Sequence, residues 1–128
     1  MSETSSQALL SVVQEASEKW KAAFNRGDAA GCAAQYEATA VMVAKPFGTF
    51  TGTQEIQGFW QTLMDDGFKD VEYVAPTNIE TSHDLQSAVL SSHWKMNKAK
   101  GIITKELWVL QEDGATAKLR EDHFEAIP

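Results

Sequence analysis

The chain has 128 residues, 43% of them hydrophobic and 23% charged, and a formal net charge of -7. That length suits one domain built on one core, and the composition is that of a globular protein rather than a disordered or fibrous one. The acidic balance argues against nucleic acid as a partner, because displacing counterions from phosphates needs a basic face; Lys95, Lys98, Lys100 and Lys105 cluster, but they read as a solvated hairpin.

No apolar run approaches the roughly 20 residues that a membrane helix needs. The first residues, with Ser2, Thr4, Ser5 and Ser6, are polar and show no export signal. Cys32 is the only cysteine, which excludes an internal disulfide. Set among alanines, it reads as a small buried residue rather than a nucleophile. A lone thiol fits a reducing compartment, so the expected location is the cytoplasm.

In chain order, a first helix is predicted from about Glu3 to Asn25. Leu9, Val13, Ala16, Trp20 and Phe24 recur every three or four positions and make one stripe along it. Gly27 suits the left-handed position that ends the helix, and Asp28 suits the N-cap of a second, short helix reaching about Tyr36. Its inner side is Cys32, Ala33 and Tyr36. Thr39 to Ala44 reads as a strand, Pro46 and Gly48 break it, and Thr49 to Gly52 returns as a short second strand. Thr51 or Thr53 caps a third helix, whose buried stripe is Ile56, Phe59, Trp60, Leu63 and Met64, with Gly67 at its end. Four long strands follow, at about Phe68–Ser82, Leu85–Asn97, Ile102–Glu112 and Thr116–Ile127. His83-Asp84, Asn97–Gly101 and Asp113-Gly114 are the turns between them. Tight connections predict an antiparallel meander. With the helices gathered on one face, the class is α+β in a single domain over residues 1–128.

Several stretches then resemble a known superfamily. Trp20-Lys21-Ala22-Ala23-Phe24-Asn25-Arg26-Gly27-Asp28 resembles the end of the first helix and the glycine–aspartate turn of SnoaL-like proteins. Tyr36 to Ala40 resembles their passage from second helix to first strand. Lys45-Pro46-Phe47-Gly48, with Gly52-Thr53 and Ile56, resembles their proline–glycine corner and third helix. Trp108, Asp113-Gly114 and Asp122-His123 resemble their closing hairpin. The resemblance is to the SnoaL-like, nuclear transport factor two-like superfamily, which has the ketosteroid-isomerase-like or cystatin-like fold. It implies a cone-shaped α+β barrel, three N-terminal helices packed on a curved, mostly antiparallel sheet, around an apolar pocket in a protein that is usually a homodimer. The superfamily holds isomerases, cyclases, dehydratases, hydrolases and plain association modules, so fold alone does not assign a reaction.

Ketosteroid isomerases use a carboxylate base and an oxyanion hole of tyrosine and protonated carboxylic acid. By the motif match, the tyrosine position falls on Trp20, the base on Lys45 and the acid on Glu106. Lysine is a poor base at neutral pH unless burial lowers its pKa, so the resemblance does not imply that family's own reaction here.

Strand alternation sorts the last hairpin into faces. Glu106, Trp108 and Leu110 share one, and Leu119, Glu121 and His123 share one on the next strand. The resemblance turns both toward the pocket. Glu106, His123 and Glu121 are therefore the candidate acid–base residues, beside a small apolar molecule held by Trp20, Phe24, Tyr36, Met42, Phe59, Leu63 and Trp108. The other reading pairs Glu106 and Glu121 with Lys105, Lys118 or Arg120 on a wet rim, with His123 as a structural histidine, and the opposite face, with Lys118, Arg120 and Asp122, reads as solvated. His93 is a further candidate for the pocket, but alternation allows either His93 or Trp94 to face it. No cofactor is expected: there is no glycine-rich phosphate cradle and no metal-ligand spacing.

Overall fold

The computed structural model describes residues 2–127, with side chains from residue 6 to residue 127. The stripe that marked the first helix is buried: Leu9, Val13, Ala16, Trp20 and Phe24 all lie in the core along α1 (Ser2–Asn25). Gly27 takes the left-handed conformation at its end, with φ 77°. Asp28 then caps α2 (Ala29–Ala33), accepting a 2.9 Å hydrogen bond from the Gly31 amide. This helix stops three residues short of Tyr36. Tyr36 instead opens β1 (Tyr36–Lys45) by pairing with Leu119 of the last strand.

After β1 come β2 (Gly48–Thr51) and α3 (Gly52–Asp65), and then β3 (Glu72–Thr81), β4 (Ser87–Lys95), β5 (Lys100–Leu110) and β6 (Ala117–Ile127). The last four form the predicted antiparallel meander. β1 lies parallel to β6 on the far side, and β2 folds back on β1. A parallel pair cannot be closed by a tight turn; here everything from β2 to β5 serves as the crossover. The strand order is β2-β1-β6-β5-β4-β3. The sheet keeps two free edges, β2 and β3, so hydrogen bonding does not close the cone that the resemblance implied.

All the long helices pack on one face. α1 touches β3, β4, β5 and β6, and α3 touches β1 and β2. Between them sits an aromatic cluster. Trp20 stacks on Phe24 at 5.5 Å and meets Trp60 edge-on at 4.9 Å, and Trp60 stacks on Phe124 at 5.7 Å. The opposite face of the sheet has no helix on it. It carries half-buried Val41, Val43, Val89, Ile102, Leu107 and Val109.

Two β-bulges set which residues reach the helical side. On β5, Ile103 pairs with Phe124 and Lys105 with His123, so Thr104 is an extra residue. On β6, Leu119 pairs with Trp108 and Glu121 with Leu107, so Arg120 is extra. Each insertion shifts the alternation by one position. Ile103 and Glu106, three apart, are therefore both buried, as are Leu119 and Asp122.

Candidate functional site

Glu106 and Asp122 stand directly opposite each other on β5 and β6. Facing residues in an antiparallel pair have Cα atoms about 4.5–5.5 Å apart, and both side chains point into the helical side, each 4% exposed. Two carboxyl groups buried this close are costly unless hydrogen bonds or a shared proton compensate.

The surrounding residues supply that compensation unequally. Glu106 accepts two hydrogen bonds, from the Tyr73 hydroxyl at 2.7 Å and the Trp108 indole N–H at 3.0 Å, one on each oxygen. Asp122 accepts one, from the Tyr36 hydroxyl at 2.6 Å, and its other oxygen has no side-chain or backbone partner. Burial pushes the Glu106 carboxyl up, while Tyr73, Trp108 and the charge of Lys21 pull it back. Burial pushes Asp122 well above the carboxylate range, and the negative charge of Glu106 pushes it further. Both carboxyls are thus raised, Asp122 the more, so Glu106 is the readier of the two to ionise and Asp122 the readier to hold a proton. Both tyrosines are driven up by burial and by the carboxylate each one serves, so they remain neutral donors.

Around this pair lies a cavity. Its walls are Trp20 from α1, Trp60 from α3, Val71, Tyr73 from β3 and Trp94 from β4. Met96, Ile103 and Phe124 complete it with the two carboxyls. About 20 Å³ of it is open to the centre of a water molecule, which is room for about one water. Among the described residues that line it, Tyr73 and Met96 are half-buried and stand on its surface side. Lys21 sits there too, its ammonium 4.5 Å from the Tyr73 ring centre and paired with Glu18 at 2.7 Å.

Of the residues singled out in the sequence, Glu106 and Trp20 line this cavity. Tyr36 and Trp108 stand behind it as donors to the carboxyls. The Met42 sulfur receives the Tyr36 hydroxyl at 3.7 Å. Phe24 and Phe59 are buried one layer back in the aromatic cluster, and Leu63 is half-buried against the core. Lys45 is exposed at the end of β1. Cys32 is buried and its thiol is pushed up to about 12 by that burial, as suits a packing residue.

Glu121 and His123 do not face the cavity. The Arg120 bulge flips the alternation, so both lie on the helix-free face. There Glu121 accepts from His123 at 3.1 Å and pairs with Lys105 at 3.4 Å. The His123 hydrogen bond and Lys105 hold the Glu121 carboxyl below its usual range. His93 is exposed on that same face, because its neighbour Trp94 takes the inward position. Asp122, Tyr73 and Trp60 belong to the site without having been named for it, and Trp94 takes the inward place that alternation leaves open between it and His93. For Asp122 a signal existed. Leu119 and Phe124 are both apolar and five apart, an odd spacing that strict alternation cannot bury on one face. Ile103 and Trp108 show the same spacing on β5. Tyr73 left no comparable mark.

No family model matches the sequence, and no curated protein sequence matches it significantly. Solved structures do. A candidate scytalone dehydratase from Novosphingobium aromaticivorans superposes with a TM-score of 0.81 at 10% identity, over 100% of this chain and 89% of that one. A ketosteroid isomerase-like protein from Erwinia carotovora gives 0.76 at 15% identity, over 93% and 96%. The chain has the cystatin-like, ketosteroid-isomerase-like fold. A candidate calcium/calmodulin-dependent protein kinase II association domain from Xanthomonas campestris shares it too, with a TM-score of 0.75 at 14% identity over 91% and 86%. The fold is thus shared by proteins with quite different names and does not by itself assign a role.

Proposed function

We propose that this protein is an acid–base enzyme of isomerase, cyclase or hydrolase type, acting on a small apolar molecule in the cavity. The observation that carries this reading is the buried Glu106–Asp122 pair. Its two members are set apart by unequal hydrogen bonding, Glu106 the readier to ionise and Asp122 the readier to hold a proton, in a cavity otherwise lined by aromatic and aliphatic side chains. Neighbouring groups held in opposite protonation states at one pH are the usual requirement for acid–base work. For a carbonyl compound, Glu106 takes a proton from the carbon beside the carbonyl while Asp122 gives one to the carbonyl oxygen. The product is an enol; with a β,γ-unsaturated ketone it is a dienol, and Glu106 returns its proton to the far carbon while Asp122 takes back the hydroxyl proton as the carbonyl re-forms, which completes an isomerisation. Tyr73 and Tyr36 orient the two carboxyls, and Lys21 favours the anionic form of Glu106.

The test is hydrogen exchange in D2O with simple enolisable ketones such as 1-indanone and 2-tetralone, followed by NMR. Exchange beside the carbonyl is expected to run faster with the protein and to fall by about 10²–10⁴-fold in Glu106→Gln and Asp122→Asn. No acceleration over buffer for any ketone, or acceleration that survives both substitutions, would remove the assignment.

A second reading has its own support. The cavity is largely filled by tryptophan, and the sheet leaves a face with Val41, Val43, Val89 and Leu107 free of helices. A non-catalytic module that binds a ligand or associates through that face fits these features. In either case a homodimer through the helix-free face covers the valines. Light scattering at micromolar concentration is expected to give twice the chain mass of 14.1 kDa. A Val89→Glu substitution, placed opposite Leu107, is expected to shift it toward the monomer. A monomer mass for the unmodified chain would exclude the dimer.

A further inference from the structure

Among the described residues, four buried side-chain polar atoms have no partner in full hydrogen-bond geometry: the indole N–H groups of Trp20, Trp60 and Trp94, and Oδ1 of Asp122. All four residues line the one cavity beside Glu106. Unpaired buried groups are uncommon in folded proteins, because each gives up its hydration with nothing in return. Four around one small space indicate that something else completes them. The Trp60 N–H donates weakly toward the Tyr36 hydroxyl, outside full hydrogen-bond geometry, and so is the least free of the four.

The chemistry of these four atoms is one-sided. An indole N–H donates and never accepts. Asp122 is the readier of its pair to hold a proton, and its unpartnered oxygen is the one free to donate it. Both Glu106 oxygens already accept from Tyr73 and Trp108. What the cavity offers is therefore an excess of donors beside one fixed negative charge. A matching molecule brings acceptors and no anionic charge of its own. The aromatic faces point the same way. One face of Trp20 is covered by Phe24 and one face of Trp60 by Phe124, so these rings do not form the open box of faces that captures an organic cation.

We infer that the cavity recognises a neutral, otherwise apolar molecule through carbonyl-type oxygens, which the indole N–H groups of Trp20, Trp60 and Trp94 bind together with Asp122. Such a molecule needs more than the space of one water, so it enters by displacing the half-buried Met96 at the mouth, an unbranched side chain that repacks easily. This rests on the acid–base reading for the protonation of Asp122, but it assigns a separate set of residues to recognition. Trp108, whose N–H is already bound to Glu106, serves as the internal control.

The chain has four tryptophans, so its indole N–H resonances make four resolvable signals in a ¹⁵N–¹H spectrum. Titration with 1-indanone, whose single carbonyl oxygen has two lone pairs, is expected to shift at least one of the Trp20, Trp60 and Trp94 signals downfield and to move Trp108 least. Indane, which lacks only the oxygen, is expected to bind at least about tenfold more weakly, because it leaves the donors unpaired. Trp94→Phe keeps an aromatic ring and is expected to reduce indanone affinity about five- to tenfold while leaving indane unchanged. Equal binding of indane, preferential binding of benzyltrimethylammonium, or unmoved indole signals at saturating indanone would overturn the inference. Indole shifts without hydrogen exchange would sustain recognition and end the acid–base reading. Exchange without indole shifts would do the reverse.

Discussion

Asp122→Asn is expected to raise the melting temperature at pH 8 and to change it little at pH 3.5. Burial and the Glu106 charge raise the Asp122 carboxyl well above its ordinary value in the folded protein, whereas the unfolded chain returns it to about 3.9. Below the unfolded pKa both states are protonated and the group contributes nothing to pH dependence. Above it, the unfolded state releases its proton first while the folded state retains one. Stability then falls by about 1.4 kcal/mol for each pH unit until the folded pKa is reached. Asparagine keeps the carbonyl oxygen that accepts from Tyr36 and has no charge to lose, so it removes that slope. Glu106→Gln is expected to gain less, because it trades two charge-assisted hydrogen bonds, from Tyr73 and Trp108, for neutral ones. Circular dichroism melts from pH 3.5 to pH 8 check both. A wild-type stability that rises over this range, or an Asp122→Asn protein with the same slope as wild type, would show that the pair does not hold a shared proton.

Gly101→Ala is expected to be among the most damaging single substitutions in the sheet. Gly101 pairs with Trp94 on β4 and Ala126 on β6. A methyl group built there stands 2.5 Å from Trp94 Cζ2 and still closer to the Glu125 carbonyl oxygen. The backbone oxygen cannot yield without opening the β5–β6 ladder, and the indole cannot yield without leaving the cavity wall. Overpacking of this kind costs about 1–3 kcal/mol and sometimes more. A thermal melt several degrees below wild type, with a changed Trp94 indole N–H signal, is the expected result. A glycine required only for its backbone freedom would predict otherwise, but Gly101 has no left-handed φ. An alanine protein as stable as wild type would mean that Trp94 does not pack on this strand as described.

Local chemistry made the element order legible. The apolar stripe from Leu9 to Phe24, the left-handed Gly27 with Asp28 after it, and the Asp113-Gly114 turn all act within a few residues of chain. So does the inward set of α3, where Ile56, Phe59 and Trp60 are buried. The meander followed from short connections. These features depend on the 3.6- and 2-residue periods and on turn stereochemistry, which the sequence carries directly.

Glu106 was also readable, because it shares a strand face with Trp108 on the near side of the Thr104 bulge. Asp122 was not placed there, because the bulge at Arg120 lies between it and Leu119. One inserted residue reverses every side chain beyond it, so Glu121 and His123 moved to the outer face and Asp122 moved in. The odd spacing of Leu119 and Phe124 hinted at a slip but did not say where it falls. What the chain determined by itself was therefore the elements, their order and one member of the carboxyl pair. The tertiary structure alone decided the partner. Only pairing of β6 with both β5 and β1 fixes the position of the bulge, and only the packing of α1, α3 and β3 brings Trp20, Trp60 and Tyr73 to the same two carboxyl groups.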